Sequence, residues 1–248
     1  MKSILLGIVQ GLTEFLPISS SGHLVLLKTL IGFEMPGVIL EVFLHFGTLL
    51  SIIIYFRKRI LSYLSKEKFP LIIIGTIPIV IIGIIFRSRI ELMFSNPPLV
   101  FLMLFITGTI LLLTLKKQNK DFLNLKNAFI IGISQAFALI PGISRSGITI
   151  ASALMLGISK EESFEFSFIL AIPALLGAFL LETAEIKLFQ VNYFQLFNGI
   201  IAAFLSGLLA LWIFYKILRK RSLHYFTYYL WFVSVVGGLL FLFFRSPF

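Results

Sequence analysis

Six stretches of this chain, at about 38–56, 69–86, 97–115, 164–181, 196–215 and 226–244, are apolar over nearly the length a helix needs to cross a bilayer. Roughly 20 residues rising 1.5 Å each span the ~30 Å of hydrocarbon. Every backbone N–H and C=O at that depth needs a partner inside the protein, so these stretches are expected to be helices. Charged residues make up 13% of the 248, about half the ~25% usual in soluble domains. With a mean hydropathy of +1.03, a water-soluble globule is excluded. The 28 Phe read as lipid-facing and packing residues rather than a cofactor box.

Residues 3–32 and 127–157 break this pattern. Each is apolar but interrupted by a polar knot, Pro17-Ile18-Ser19-Ser20-Ser21-Gly22 in the first and Pro141-Gly142-Ile143-Ser144-Arg145-Ser146-Gly147 in the second. The arms flanking each knot have about 10–14 residues, too few to cross. Irregular backbone at membrane depth is tolerated where it is buried in protein or lines a watery cavity. Two re-entrant helical hairpins are therefore expected, with two kinked full-length helices as the alternative. The expected fold is all-α: one integral membrane domain over 1–248, with six transmembrane helices plus two re-entrant hairpins.

Loop charge orients the chain. Residues 57–68 carry Arg57, Lys58, Arg59, Lys66 and Lys68 against Glu67. Segment 116–126 carries Lys116, Lys117, Lys120 and Lys126 against Asp121, and 216–225 carries Lys216, Arg219, Lys220 and Arg221. These three read as cytoplasmic, which puts both ends of the first interrupted region outside and both ends of the second inside. The net charge of +10 thus reflects basic loops and anionic headgroups, not nucleic acid. Having no Cys, the chain holds no disulfide, thiolate metal site or cysteine nucleophile. Gln10 and Glu14 interrupt the first apolar run, which does not read as a cleavable signal peptide.

Gly7–Gly22 and Gly132–Gly147 align without gaps at an offset of 125. Gly7/Gly132, Ile8/Ile133, Gln10/Gln135, Ile18/Ile143, Ser19/Ser144, Ser21/Ser146 and Gly22/Gly147 are identical. Weaker matches follow at an offset of 124, Glu41 with Glu165 and Gly83 with Gly207. Because loop charge sends the two copies in from opposite faces, they are expected to form an inverted-topology repeat, about 1–115 and 126–244. Interrupted segments in such folds meet near the midplane and build the site.

Ionisable residues inside apolar segments are costly and mark function by default. Glu14, His23, Glu41, His45, Arg145 and Glu165 are the ones here. Gln10 and Glu14 lie four apart on one helix face. They offer two oxygen ligands to a hard divalent cation, or one ligand and one hydrogen bond to a neighbour. Ser20 and His23 lie three apart, within reach of a nucleophile–base pair that Glu14 would orient. Arg145 is suited to forked recognition of phosphate oxygens. Backbone N–H groups at Gly142, a helix beginning near Ser146, and the hydroxyls of Ser144, Ser146 and Thr149 would complete an anion cradle. Structural readings stand beside these. The run Ser19–Ser21 can simply cap a helix, Arg145 can pair with Glu14, Glu41 or Glu165, and His45 can serve helix packing. Glu41 and Glu165 read as structural, and Glu161 and Glu162 as water-facing. Neither a His/Cys metal cluster nor a Walker or dinucleotide glycine loop is present. Two classes remain open: phosphoryl chemistry, and transport of a lipid phosphate or inorganic anion. A carrier needs the anion site but no nucleophile.

Gln10-Gly-Leu-Thr-Glu14-Phe-Leu-Pro-Ile-Ser-Ser-Ser-Gly-His23 resembles the first signature of the BacA-type undecaprenyl pyrophosphate phosphatases. Pro141-Gly-Ile-Ser-Arg-Ser-Gly-Ile-Thr149 resembles their second, and Gly75-Thr-Ile-Pro78 also fits. The resemblance runs over essentially the whole chain. It implies hydrolysis of undecaprenyl diphosphate to undecaprenyl phosphate, the lipid carrier of cell-wall precursors. It further implies a multi-pass protein of the cytoplasmic membrane with an outward-facing site and a divalent cation, Mg or Ca. On this sequence it places catalysis on Ser20, His23, Glu14 and Arg145. Substrate binding falls on Ser19, Ser21, Gly142, Ser144, Ser146 and Thr149, and the cation on Glu14 and Gln10. Many members of the family carry Glu where Gln10 stands. Either Ser20 or His23 is the nucleophile on this reading, and a homodimer in the membrane is left open.

Overall fold

The computed structural model describes residues 2–31, 39–115, 122–185 and 193–244. They form helices α1 (Lys2–Phe15), α2 (Ser20–Ile31), α3 (Ile39–Tyr55), α4 (Arg57–Tyr63), α5 (Phe69–Ile85), α6 (Arg87–Met93) and α7 (Pro97–Leu113). These are followed by α8 (Leu125–Phe137), α9 (Arg145–Met155), α10 (Lys160–Glu185), α11 (Tyr193–Lys220) and α12 (Tyr225–Phe244). No strand occurs among the described residues. The charged positions 116–121, and part of the loop 182–195, lie outside them.

Helix starts follow local chemistry. Asn96 accepts a hydrogen bond from Leu99 N (3.3 Å) ahead of Pro97 and Pro98, which suit the first helical positions. Asn124 caps α8 by accepting from Asn127 N (2.9 Å). Pro78 and Pro173 sit inside α5 and α10.

α10, α11 and α12 are long and apolar enough to cross a membrane. α3 with α4, and α5 with α6, reach that length only as pairs, bent by 80° and 81°. α7, at 17 residues, spans about 25 Å. By length and composition the described residues thus hold three such spans, or up to five with each bent pair counted as one. The basic stretch after Tyr55 is not a plain loop but begins with α4, which turns Arg57 and Lys58 outward and keeps Tyr63 buried. A guanidinium leaves hydrocarbon where the chain allows it. Glu165 holds this arrangement, pairing with Arg59 at 3.2 Å and so tying α10 to α4. At the other end of α10, Glu182 lies 3.4 Å from Arg87 of α6. Glu161 is exposed and faces Arg219 at 3.6 Å, whereas Glu162 is half-buried rather than water-facing.

The phenylalanines divide. Phe15, Phe56, Phe164, Phe168 and Phe214 are buried in one aromatic core where α1, α3, α10 and α11 meet. The Phe15–Phe168 and Phe164–Phe168 rings sit 5.5 and 4.8 Å apart. Phe194, Phe232 and Phe243 face outward.

α1 packs on α11 and α8 on α5, both through glycine. A Cβ on Gly11 would lie 2.7 Å from Gly207 N, and one on Gly132 would lie 2.8 Å from Gly75 Cα. Backbone against backbone has no flexible neighbour to yield. Gly132→Ala is therefore expected to destabilise the protein by about 1–3 kcal/mol, read as a shorter half-life on heating in detergent. Unchanged heat inactivation would mean that the α5–α8 contact is looser than described.

Candidate active site

The two polar knots lie against each other at the centre of the molecule. Each is built the same way. Ser19 Oγ accepts from Gly22 N (3.3 Å) and lies 3.2 Å from Ser21 Oγ. Ser144 Oγ accepts from Gly147 N (3.1 Å) and lies 3.3 Å from Ser146 Oγ. Both serines thus cap helices, and the positive N-terminal ends of α2 and α9 converge. Across the junction, Gly142 N donates to Ser21 Oγ (3.4 Å) and Ser146 Oγ donates to Leu16 O (3.3 Å).

The turns are constrained. Gly142 has φ +99, and a Cβ there would meet Met103 at 2.7 Å, so the tight passage over α7 admits glycine alone. Ser19 has φ +68, a left-handed conformation that costs a residue with a Cβ about 1–2 kcal/mol. Its strain sits directly before Ser20, where such strain often accompanies function.

Glu14 is the hub. Its Oε1 accepts from Arg145 Nη2 at 2.9 Å, and its Oε2 accepts from Ser20 Oγ at 2.6 Å and from Gln10 Nε2 at 3.2 Å. His45 Nε2 stands 3.6 Å from the same oxygen. The Glu14 and Arg145 side chains are 5% and 11% exposed, so the pair is held where water screens it little. Arg145 also reaches Ser167 O with Nη1 (3.5 Å), and its ring neighbour is Phe168 at 6.0 Å. Arg145 Nε and Gln10 Oε1 are buried with no protein partner. A buried polar atom left unpaired is costly, so both mark where a ligand or water would bind.

The structure brings together Gln10, Glu14, Ser20 and Arg145 but rearranges other expected roles. His23 does not face Ser20. Its Nδ1 lies 2.8 Å from Ser19 O and its Nε2 lies 2.6 Å from Tyr229 Oη. Glu14 therefore orients no imidazole of His23; it holds Ser20 directly. The expected hydroxyl cradle is engaged within the protein. Ser144 caps α9, and Thr149 Oγ1 contacts Arg145 O (2.7 Å) and Ser167 Oγ (2.6 Å). The Gly142 N–H donates to Ser21 Oγ. The reason is that a knot buried in apolar surroundings must satisfy its own backbone first.

Four participants lay outside the expected site. His45 adjoins Glu14, and Ser167 supports both Arg145 and Thr149. Thr107 donates to Gly142 O (3.0 Å) and accepts from Ser144 N (3.3 Å). Tyr229 holds His23. Thr107 and Ser167 carried a usable signal as hydroxyls within apolar helices. Tyr229 carried none, because Tyr225, Tyr228 and Tyr229 together read as interfacial aromatics.

The family model described as bacitracin resistance protein BacA matches residues 3–236. A protein of Thermosipho africanus named undecaprenyl-diphosphatase is 43% identical over 249 residues, covering 96% of this chain and 98% of its own length. Proteins of the same name from Halothermothrix orenii and Methanobrevibacter smithii are 42% and 38% identical, each covering 95% of both chains. With both signature knots in contact at one buried centre, and a match that runs nearly end to end, this chain belongs to the BacA family.

Proposed function

We propose that this chain hydrolyses undecaprenyl diphosphate to undecaprenyl phosphate and inorganic phosphate within the bilayer. One observation carries the reading: Ser20 Oγ donates to Glu14 at 2.6 Å while Arg145 holds the other carboxylate oxygen at 2.9 Å. An activated hydroxyl beside a guanidinium is what displacement at phosphorus requires, and a carrier has no use for the first.

Ser20 Oγ attacks the terminal phosphorus and passes its proton to Glu14 Oε2. The bond from that phosphorus to the bridging oxygen breaks, and undecaprenyl phosphate leaves with the electron pair. Arg145, with the N-terminal ends of α2 and α9, stabilises the charge spread over the phosphoryl oxygens. Water then attacks the phosphoserine. Glu14 returns its proton to Ser20 Oγ, and the water's surplus proton leaves with phosphate.

A divalent cation fits this site as an ion shared with the diphosphate. Glu14 is the site's carboxylate, Gln10 Oε1 is an oxygen with no protein partner, and no cluster of three acidic or imidazole ligands exists among the described residues. Mg typically binds through one or two carboxylates plus substrate phosphates. When bound, the ion would neutralise charge on the diphosphate.

The topology belongs to the same proposal: two re-entrant hairpins, α1–α2 and α8–α9, in an inverted repeat, with the site facing outward from the cytoplasmic membrane. Packing supports it. Gly7 abuts Gly199, and Gly132 abuts Gly75. Position 132 is the repeat mate of 7 at offset 125, and 199 is the mate of 75 at offset 124. The isoprenoid tail lies in lipid between helices, so only the diphosphate enters the protein.

The test is phosphate release from a long-chain polyprenyl diphosphate by purified protein in detergent. Release is expected with Mg or Ca and loss with a chelator. Gln10→Ala is expected to raise the cation concentration for half-maximal activity about tenfold. Absence of release with any cation would move the assignment to lipid or anion transport.

A further inference from the structure

The bonding of His23 leads to a role that differs from proton transfer. A carbonyl oxygen only accepts, so the 2.8 Å contact from His23 Nδ1 to Ser19 O places the ring proton on Nδ1. Nε2 of the neutral ring is then an acceptor, and Tyr229 Oη, 2.6 Å away, donates to it. The two ring planes are nearly parallel, 7° apart, with centroids 5.7 Å from each other. Neither ring nitrogen is left for Ser20, whose hydroxyl is already bonded to Glu14.

The carbonyl that His23 holds belongs to Ser19, the residue at φ +68. That oxygen also accepts from the His23 backbone N–H at 3.2 Å. Its direction sets the plane of the Ser19–Ser20 peptide, and that plane sets where Ser20 Oγ points. Tyr229 comes from α12, 206 residues away in sequence, and is the outer end of a relay running inward through the imidazole to the strained turn.

We propose that Tyr229 fixes His23 in the Nδ1–H tautomer, and that His23 acts as a positioning residue that clamps the left-handed Ser19 turn and aims Ser20 at Glu14. This rests on the phosphatase reading above for its kinetic consequence, though not for the tautomer.

Asparagine supplies an N–H at the branch position of Nδ1 but has no basic nitrogen. In the purified full-length protein, His23→Asn is expected to keep kcat within about tenfold of wild type, and His23→Ala to lose about 100-fold or more. Tyr229→Phe is expected to lower kcat about fivefold with KM unchanged, and to add nothing in the His23→Asn background. NMR of protein labelled with 15N-histidine gives a readout independent of turnover. The His23 ring proton is expected wholly on Nδ1 in wild type and partly on Nε2 in Tyr229→Phe, where Ser19 O alone holds it. His23→Asn as inactive as His23→Ala would overturn the proposal and restore His23 as proton carrier or nucleophile. So would Tyr229→Phe with kcat and tautomer both unaltered. Should His23→Asn not fold, the Tyr229→Phe comparison decides. A wild type that releases no phosphate would sink the reading of the reaction, and the NMR comparison would still decide the tautomer.

Discussion

Ser20→Ala is expected to lower phosphate release by about 10⁴-fold or more and to leave no phosphoprotein after quenching in neutral SDS, which preserves phosphoserine and phosphohistidine alike. Glu14→Gln keeps the size of the side chain and an acceptor for Ser20 but cannot take its proton. A loss of about 10³-fold is expected there. Because the hydroxyl and the carboxylate act as one unit at 2.6 Å, the double variant is expected to be no worse than Ser20→Ala alone. Labelled phosphoprotein surviving in Ser20→Ala would remove Ser20 as nucleophile and transfer that role to His23.

Arg145→Lys is expected to cost about 10³-fold in kcat, although charge is retained. Arg145 divides its fork, one terminal nitrogen on Glu14, the other near Ser167 O, with Nε left for the ligand. A lysine ammonium donates all three of its hydrogens from one nitrogen and cannot reach partners spread around a planar guanidinium. Arg145→Ala and Glu14→Ala each leave a buried charge without its partner and are expected to destabilise the protein by about 3–5 kcal/mol. Removing both is expected to restore part of that stability while activity stays absent, as read by heat inactivation and phosphate release together. A double variant less stable than either single would mean that the two side chains support the fold by packing rather than by pairing.

Much of the site was legible because lipid makes polar residues conspicuous. Gln10, Glu14, Ser20 and Arg145 stood out from apolar neighbours, and they do meet. The capping serines were legible by type, since Ser before a helix end has few other uses. What stayed hidden was pairing. Spacing put Ser20 and His23 one turn apart, but the hydroxyl bonds Glu14 while the imidazole bonds Ser19 O and Tyr229. Tyr229 was hidden because contacts across 206 residues leave no local trace. Helix type was clear from hydropathy, yet the bends at Phe56 and Phe86 were not. A turn of 80° is decided by where charged residues find water and by what α10 offers them, as with Arg59 on Glu165.

The Glu14–Arg145 contact sets the timing of the reaction on the proposed mechanism. At rest the carboxylate occupies the guanidinium, much as a tethered anion would occupy a binding site. Once Ser20 gives up its proton, Glu14 becomes neutral and its claim on Arg145 weakens, at the moment when charge gathers on the phosphoryl oxygens. When the proton returns to Ser20, Glu14 recovers its charge and competes with the newly formed phosphate for the same cation. One proton shifting along a 2.6 Å hydrogen bond thus tightens the hold on the substrate and later loosens the hold on the product, with no helix required to move.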